Sequence, residues 1–204
     1  MIAIVDYGSG NVGAIADIFK RLKIAHSITR SPDELREADR FILPGVGAFD
    51  TTMRTLSESG LIDILNEQVL VKGKRILGIC VGMQILGDSS EEGTLPGLGW
   101  IPGRVRRIDP STLDGALKLP HMGWNSLTIT TPSPLLEGVD LVRGFYFLHS
   151  YFFDATDPAS VLATVDYGRA LPCAVSRGKV FGAQFHPEKS HANGLAIFRN
   201  FAAL

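Results

Sequence analysis

Cys80 stands in the run Gly78-Ile79-Cys80-Val81-Gly82-Met83-Gln84, just after the apolar pair Ile76-Leu77. This spacing predicts a strand ending at Ile79 and a helix beginning by Gly82 or Met83, with the cysteine on the turn between them. Glycine two positions before and two after makes the run a G-x-S-x-G nucleophile elbow with sulfur in place of oxygen. So tight a turn excludes side chains that would crowd the nucleophile, and a helix start favours thiolate over thiol. A nucleophilic cysteine also needs a base. The run Gln184-Phe185-His186-Pro187-Glu188 supplies His186 with a carboxylate two residues on. In extended backbone residues i and i+2 point the same way, and Pro187 keeps His186 out of the α region. Cys80, His186 and Glu188 thus read as nucleophile, base and orienter of the base.

Each residue alone has a plainer reading. Free cysteine is usually buried and inert, and a strand-end histidine beside a solvated glutamate is ordinary. It is the elbow spacing around Cys80 that tips the reading towards catalysis. Cys173, after Pro172 in a plain strand-like run, is read as structural.

Acyl chemistry at Cys80 needs backbone N–H donors for an oxyanion. The amide of Val81 is one candidate, and an amide of Val46 or Gly47 in the loop Pro44-Gly45-Val46-Gly47 is the other. On its own, that loop reads equally well as a simple turn. Glycines on both sides of Val46 make a peptide flip cheap, so the loop can rest with a carbonyl inward and the oxyanion hole unformed.

A second glycine pattern competes for attention. Gly8-Ser9-Gly10-Asn11-Val12-Gly13 follows an apolar strand and opens a helix, matching G-x-G-x-x-G. The acidic residue expected about twenty positions on is missing, and Thr29-Arg30 leaves only an NADP variant, so no cofactor is expected. The five histidines (26, 121, 149, 186 and 191) share no metal-ligand spacing, and no metal is expected either.

The elements around these motifs alternate in the first half. Strands are predicted at Ile2–Val5, Ile24–Thr29 and Phe41–Leu43, with helices at Val12–Leu22, from Ser31 (cap) and Pro32, at Phe49–Ser57 and at Leu61–Val71. That alternation predicts an α/β fold with a central, mostly parallel sheet flanked by helices and sites at its carboxyl edge. The second half reads as an antiparallel extension, with strands at 104–108, 126–130, 144–153, 160–165 and 173–175. A buried strand at 180–185 and a helix at 193–201 close it.

With 204 residues, 45% hydrophobic, 20% charged and a net charge of -1, one globular domain spanning 1–204 is expected. The charge gives nucleic-acid binding no support. Two cysteines fit a reducing compartment, and no apolar run is long enough for a leader or a membrane span, so a cytoplasmic protein is expected.

The elbow and the His186-Pro187-Glu188 run together resemble the class I (triad) glutamine amidotransferases. Five further stretches narrow the resemblance to the glutaminase subunits of imidazole glycerol phosphate synthases, in histidine biosynthesis. They are Ile4 to Asn11, Pro44 to Phe49, Pro120-His121-Met122-Gly123-Trp124-Asn125, Phe147 to Tyr151, and His186 to Ser190. Phe152 stands where tyrosine is common and Val81 where leucine is. The resemblance implies the class I amidotransferase fold and hydrolysis of glutamine to glutamate and ammonia. It implies that Gly45, Gln84, Glu92, His149, Ser150 and Tyr151 help hold glutamine, although Glu91 and Glu92 look on sequence like solvated loop charges. It also implies a heterodimer with a (β/α)₈ cyclase subunit that receives the ammonia and activates the glutaminase, contacted by Asn11, Trp124 and Lys189. Trp124 otherwise reads as a core aromatic and Lys189 as an exposed lysine. The glutaminase of pyridoxal phosphate synthesis and a stand-alone cysteine hydrolase are the alternatives, alongside the NADP-binding module.

Overall fold

The computed structural model describes every residue except Asp114 and Ala116. Thirteen strands are described: β1 (Ile2–Val5), β2 (His26–Thr29), β3 (Arg40–Gly45), β4 (Arg75–Cys80), β5 (Ser89–Ser90), β6 (Gly103–Arg107), β7 (His121–Asn125), β8 (Thr128–Ile129), β9 (Phe145–His149), β10 (Tyr151–Ala155), β11 (Val161–Asp166), β12 (Ala170–Arg177) and β13 (Val180–Ala183). The helices are α1 (Val12–Leu22), α2 (Pro32–Glu37), α3 (Phe49–Glu58), α4 (Ile62–Asn66), α5 (Val81–Gln84) and α6 (His191–Ala203).

Eight strands form the main sheet in the order β2-β1-β3-β4-β13-β12-β11-β8. Pairing is parallel from β2 through β13 and antiparallel from β13 to β8. The parallel strands β1 and β13 are buried along their whole length, as expected where helices cover both faces. The crossover order puts β3, β4 and β13 side by side at the centre, so the carboxyl ends of β3 and β4 open on one edge. Two smaller sheets, β10-β6-β5 and β7-β9, stand apart from the main one.

Several boundaries differ from the sequence expectation. β3 runs on through Pro44 and Gly45, and Gly45 pairs with Cys80 at the end of β4. The helix after the elbow starts at Val81 and is only one turn long. Pro32 opens α2 as expected, but the Ser31 side chain makes no capping hydrogen bond. Instead the Ser31 amide donates to Thr29 Oγ1. α4 passes into a π-helical turn over Glu67–Val71, and the strand expected across 126–130 is only Thr128–Ile129.

The largest correction lies at Gly144–Phe153, which is two strands, not one. They part at Ser150: β9 pairs with β7, a strand absent from the sequence reading, and β10 pairs with β6 in another sheet. Both pieces carry the same aromatic β-type composition, so only long-range pairing separates them.

Candidate active site

Cys80 ends β4 with φ 55° and ψ −116°. A non-glycine residue at positive φ is strained, and such strain gathers at functional sites. The flanking glycines show why the elbow closes. A Cβ on Gly82 would lie 2.0 Å from the Leu43 carbonyl oxygen, and one on Gly78 would lie 2.4 Å from that of Gly82. Hydrogen at Gly82 lets the turn approach β3, and hydrogen at Gly78 lets that turn fold back over β4.

His186 follows β13 and reaches the same pocket. Its backbone is extended (φ −100°, ψ 96°), as the following proline requires. Glu188 arrives differently from the expected extended geometry: Pro187–Lys189 forms a 3₁₀ turn that folds the carboxylate back. The result is a 2.8 Å contact between His186 Nδ1 and Glu188 Oε1, with both side chains almost fully buried. The main chain of His186 is also pinned. Its amide donates to the Tyr146 carbonyl at 2.9 Å, and Ser190 Oγ donates to its carbonyl at 2.6 Å while accepting from the Tyr146 amide.

Burial pulls the imidazole pKa of His186 down, but the Cys80 sulfur and the Glu188 carboxylate outweigh it, and the net shift is upward. The ring therefore holds a proton that it can give to a leaving group. Cys173 sits in mid-β12, fully buried, and burial alone pushes its thiol up.

A pocket of about 330 Å³ is lined by Val46, Gly47, Cys80, Val81, Gln84, Glu92, His149, Ser150, Tyr151, His186 and Lys189, among others. It gathers the residues expected at this site except Gly45, which lies behind them in β3, Glu188, which stands behind His186 and lines the adjoining hollow, and Asn11 and Trp124. Asn11 caps α1 through Oδ1 and lines an adjoining hollow with Gly10, Val46, His186, Glu188 and Lys189. Trp124 is exposed on β7 and stacks on His191 at 5.3 Å between centroids. Lys189 places its Nζ 5.4 Å from the centre of the Tyr146 ring. A larger groove between Met53, Ile62 and Leu98 contains neither a cysteine nor a histidine.

Contacts invisible in the sequence complete the site. Gln84 Nε2 donates to Gln184 Oε1 at 3.0 Å and to the Tyr151 carbonyl at 3.3 Å. Glu92 is no solvated loop charge, since its Oε2 accepts from the Phe49 amide at the start of α3 at 2.8 Å. The Gly8–Gly13 turn is explained too. Gly10 lies against Pro44, Tyr7 Oη donates to the Pro44 carbonyl at 2.5 Å, and Ser9 Oγ meets both polar groups of the Val46 backbone. This turn braces the end of β3. The Val46 amide, one of the expected oxyanion donors, here donates to Ser9 Oγ at 3.1 Å.

Residues 3–203 match the model of the class-I glutamine amidotransferase family, and the chain belongs to that family. More particularly, it is 49% identical over 205 residues to imidazole glycerol phosphate synthase subunit HisH of Bdellovibrio bacteriovorus, with 100% of both chains covered. The protein of that name in Leptospira borgpetersenii is 47% identical over 204 residues, again covering 100% of both. The Bacillus subtilis one is 42% identical over 207 residues, covering 100% of this chain and 96% of the relative. Among solved structures, PurLQS from Thermotoga maritima superposes with a TM-score of 0.74 at 19% identity, covering 99% of this chain and 97% of that one. A glutamine amidotransferase crystal structure does so at 0.72 and 23%, covering 100% and 99%. These structures share the fold.

Proposed function

We propose that this chain, acting as one domain, is the glutaminase subunit of an imidazole glycerol phosphate synthase. Cys80, its proton taken up by His186, attacks the side-chain amide carbon of glutamine as a thiolate, forming a C–S bond while the carbonyl electron pair moves onto oxygen. The C–N bond then breaks, and His186 passes its proton to the departing ammonia. Water, activated by the now neutral His186, hydrolyses the thioester to glutamate and restores the thiol. Glu188 holds His186 in the required tautomer. The observation that carries this reading is the positive-φ cysteine at a strand–helix elbow, sharing one pocket with a histidine whose Nδ1 is held by a buried carboxylate.

Glutamine lies among Gln84, Glu92, His149, Ser150 and Tyr151, and the tetrahedral oxyanion takes the Val81 amide and one from Val46–Gly47. The Val46 amide becomes available once its bond to Ser9 is released, which supports a resting state with an incomplete oxyanion hole. No metal or cofactor is required for these steps. The partner is a (β/α)₈ cyclase subunit forming a heterodimer in the cytoplasm, docked over Asn11, Trp124 and Lys189 and receiving the ammonia. Two features support this face: exposed Met122, Trp124 and Leu148 cluster on the small β7-β9 sheet, and the hollow lined by Asn11 and Lys189 adjoins the triad.

The test is glutamine turnover by the chain with and without a cyclase subunit from the same source. Strong activation by the cyclase is expected. Full turnover alone, unchanged by the cyclase, would refute the coupling, and no turnover in either state would refute the glutaminase reading.

A further inference from the structure

Behind the corner at Ser150, where the chain leaves β9 for β10, a line of polar groups runs from the pocket residues Tyr151 and His149 to His121 and Asn125, to which the chemistry above gives no role. His149 Nδ1 lies 2.8 Å from the Tyr151 carbonyl oxygen, and His149 Nε2 lies 3.0 Å from His121 Nδ1. His121 Nε2 in turn lies 3.4 Å from Asn125 Nδ2. His121 and Asn125 belong to β7, and His121 is paired directly with His149 of β9.

Every proton in this line can be assigned. The Tyr151 carbonyl only accepts, so His149 carries its hydrogen on Nδ1 and presents Nε2 as an acceptor. His121 must then donate from Nδ1 and accept at Nε2. The far end agrees independently. Asn125 Oδ1 accepts from the Ser126 amide at 2.8 Å and its Nδ2 donates to the Asp166 carbonyl at 2.9 Å, which fixes the amide orientation. The chain of donors works only if both rings are neutral. Burial holds His121 down to about 4 and His149 down to about 3. His121 is clamped by stacking on Tyr167 at 4.0 Å and on Phe147 at 4.7 Å.

We infer that His121 and Asn125 are positioning residues for the glutamine pocket. They act through His149, fixing the tautomer that lets it hold the Tyr151 carbonyl and the Ser150 corner. This inference rests on the glutaminase reading, in which that corner holds glutamine. The same carbonyl accepts from Gln84, so the relay ties two pocket walls together. β7 turns His121 inward to the relay and exposes Met122 and Trp124 on its other face. A load on that outer face therefore bears on the glutamine pocket through one strand.

Replacing His121 by phenylalanine keeps the stacking and removes the Nδ1 donor. His149 is then free to move its hydrogen to Nε2 and turn a lone pair towards the Tyr151 oxygen. Loss of one buried hydrogen bond corresponds to roughly tenfold in an equilibrium constant. The experiment is a double-mutant cycle on the full chain, reading KM for glutamine and the rate of Cys80 labelling by a diazoketone glutamine analogue, with thermal melts to confirm folding.

His121→Phe is expected to raise KM about tenfold and slow analogue labelling alike, with a smaller change in kcat. In a His149→Asn background, where the asparagine amide donates at the position of Nδ1 whatever its neighbour does, His121→Phe is expected to change KM less than about twofold. His121→Asn, which keeps a donor towards His149, is expected to stay within about threefold of the parent and serves if the phenylalanine variant does not fold. An equal KM penalty for His121→Phe in both backgrounds overturns the relay and leaves His121 a packing residue. The relay alone also falls if the parent turns over glutamine while both His121→Phe and His121→Asn leave KM untouched, or if the folded asparagine variant matches a full loss. A parent chain that neither hydrolyses glutamine nor reacts with the analogue sinks the glutaminase reading and this inference with it.

Discussion

The two cysteines occupy the same sheet, two strands apart, and both are nearly inaccessible, yet their surroundings have little in common. Cys80 is the last residue of β4, held at positive φ against the ends of β3 and α5, and its pocket holds a histidine whose Nδ1 meets a buried carboxylate. Cys173 lies inside β12 among apolar neighbours, and its thiol is pushed up by burial alone. Burial therefore does not decide reactivity here. Location does, since the carboxyl end of a central parallel strand is where backbone can leave the ladder and side chains from several strands converge.

The sharpest test of that contrast is paired substitution. Cys80→Ala is expected to lower glutamine turnover by roughly 10⁴-fold or more, while Cys173→Ala leaves it nearly intact, measured by ammonia release. In the folded chain, a glutamine-analogue electrophile should label Cys80 and spare Cys173 until denaturant is added. Labelling of Cys173 first would reverse the comparison.

The partners of Cys80 come next. His186→Ala is expected to match the loss of Cys80, because triad members act as a unit, while Glu188→Gln is milder by roughly 10–10². Single-turnover thioester formation, followed in both variants, separates these outcomes. Near-normal rates in both would make the pair structural.

A third comparison is mechanical. Gly82→Ala drives a methyl group into the Leu43 carbonyl and is expected to cost about 3 kcal/mol or more together with activity. Cys173→Ala only leaves a small cavity and should cost about 1 kcal/mol. Urea denaturation reads both.

The smallest effect concerns alkaline pH. A thiol whose folded pKa is raised keeps its proton in the native state while the unfolded chain loses it above the ordinary value of 9.0. Its stabilising contribution is thus complete below pH 9.0 and declines above it, by up to about 1.4 kcal/mol per pH unit. Between about pH 8.5 and 10, Cys173→Ala is expected to flatten this decline in the unfolding free energy. An unchanged slope would mean that Cys173 titrates normally.

Much of the site was legible because its signals are local. The glycine spacing around Cys80 reflects a turn that only glycine permits, and His186-Pro187-Glu188 places base and carboxylate within three residues. The parallel half was legible for a similar reason, since buried strands and amphipathic helices leave periodicities of two kinds. Where contacts span the chain, the reading thinned. Ser9 bonds Val46 across 37 residues, Glu92 reaches the Phe49 amide across 43, and Gln184 meets Gln84 across 100. Nothing near any of these residues marks its partner.

By itself, the sequence determined the α/β class, the elbow, the histidine–carboxylate pair and the contrast between two cysteines, because each depends on backbone sterics or periodicity within a few residues. Tertiary structure decided where the strand of Phe145–Ala155 breaks, how a 3₁₀ turn delivers Glu188, and which amide Ser9 holds. It also decided that two histidines on paired strands share one hydrogen-bond line with Tyr151. These depend on sheet pairing and on satisfying buried polar groups, and both are set by residues far apart in the chain.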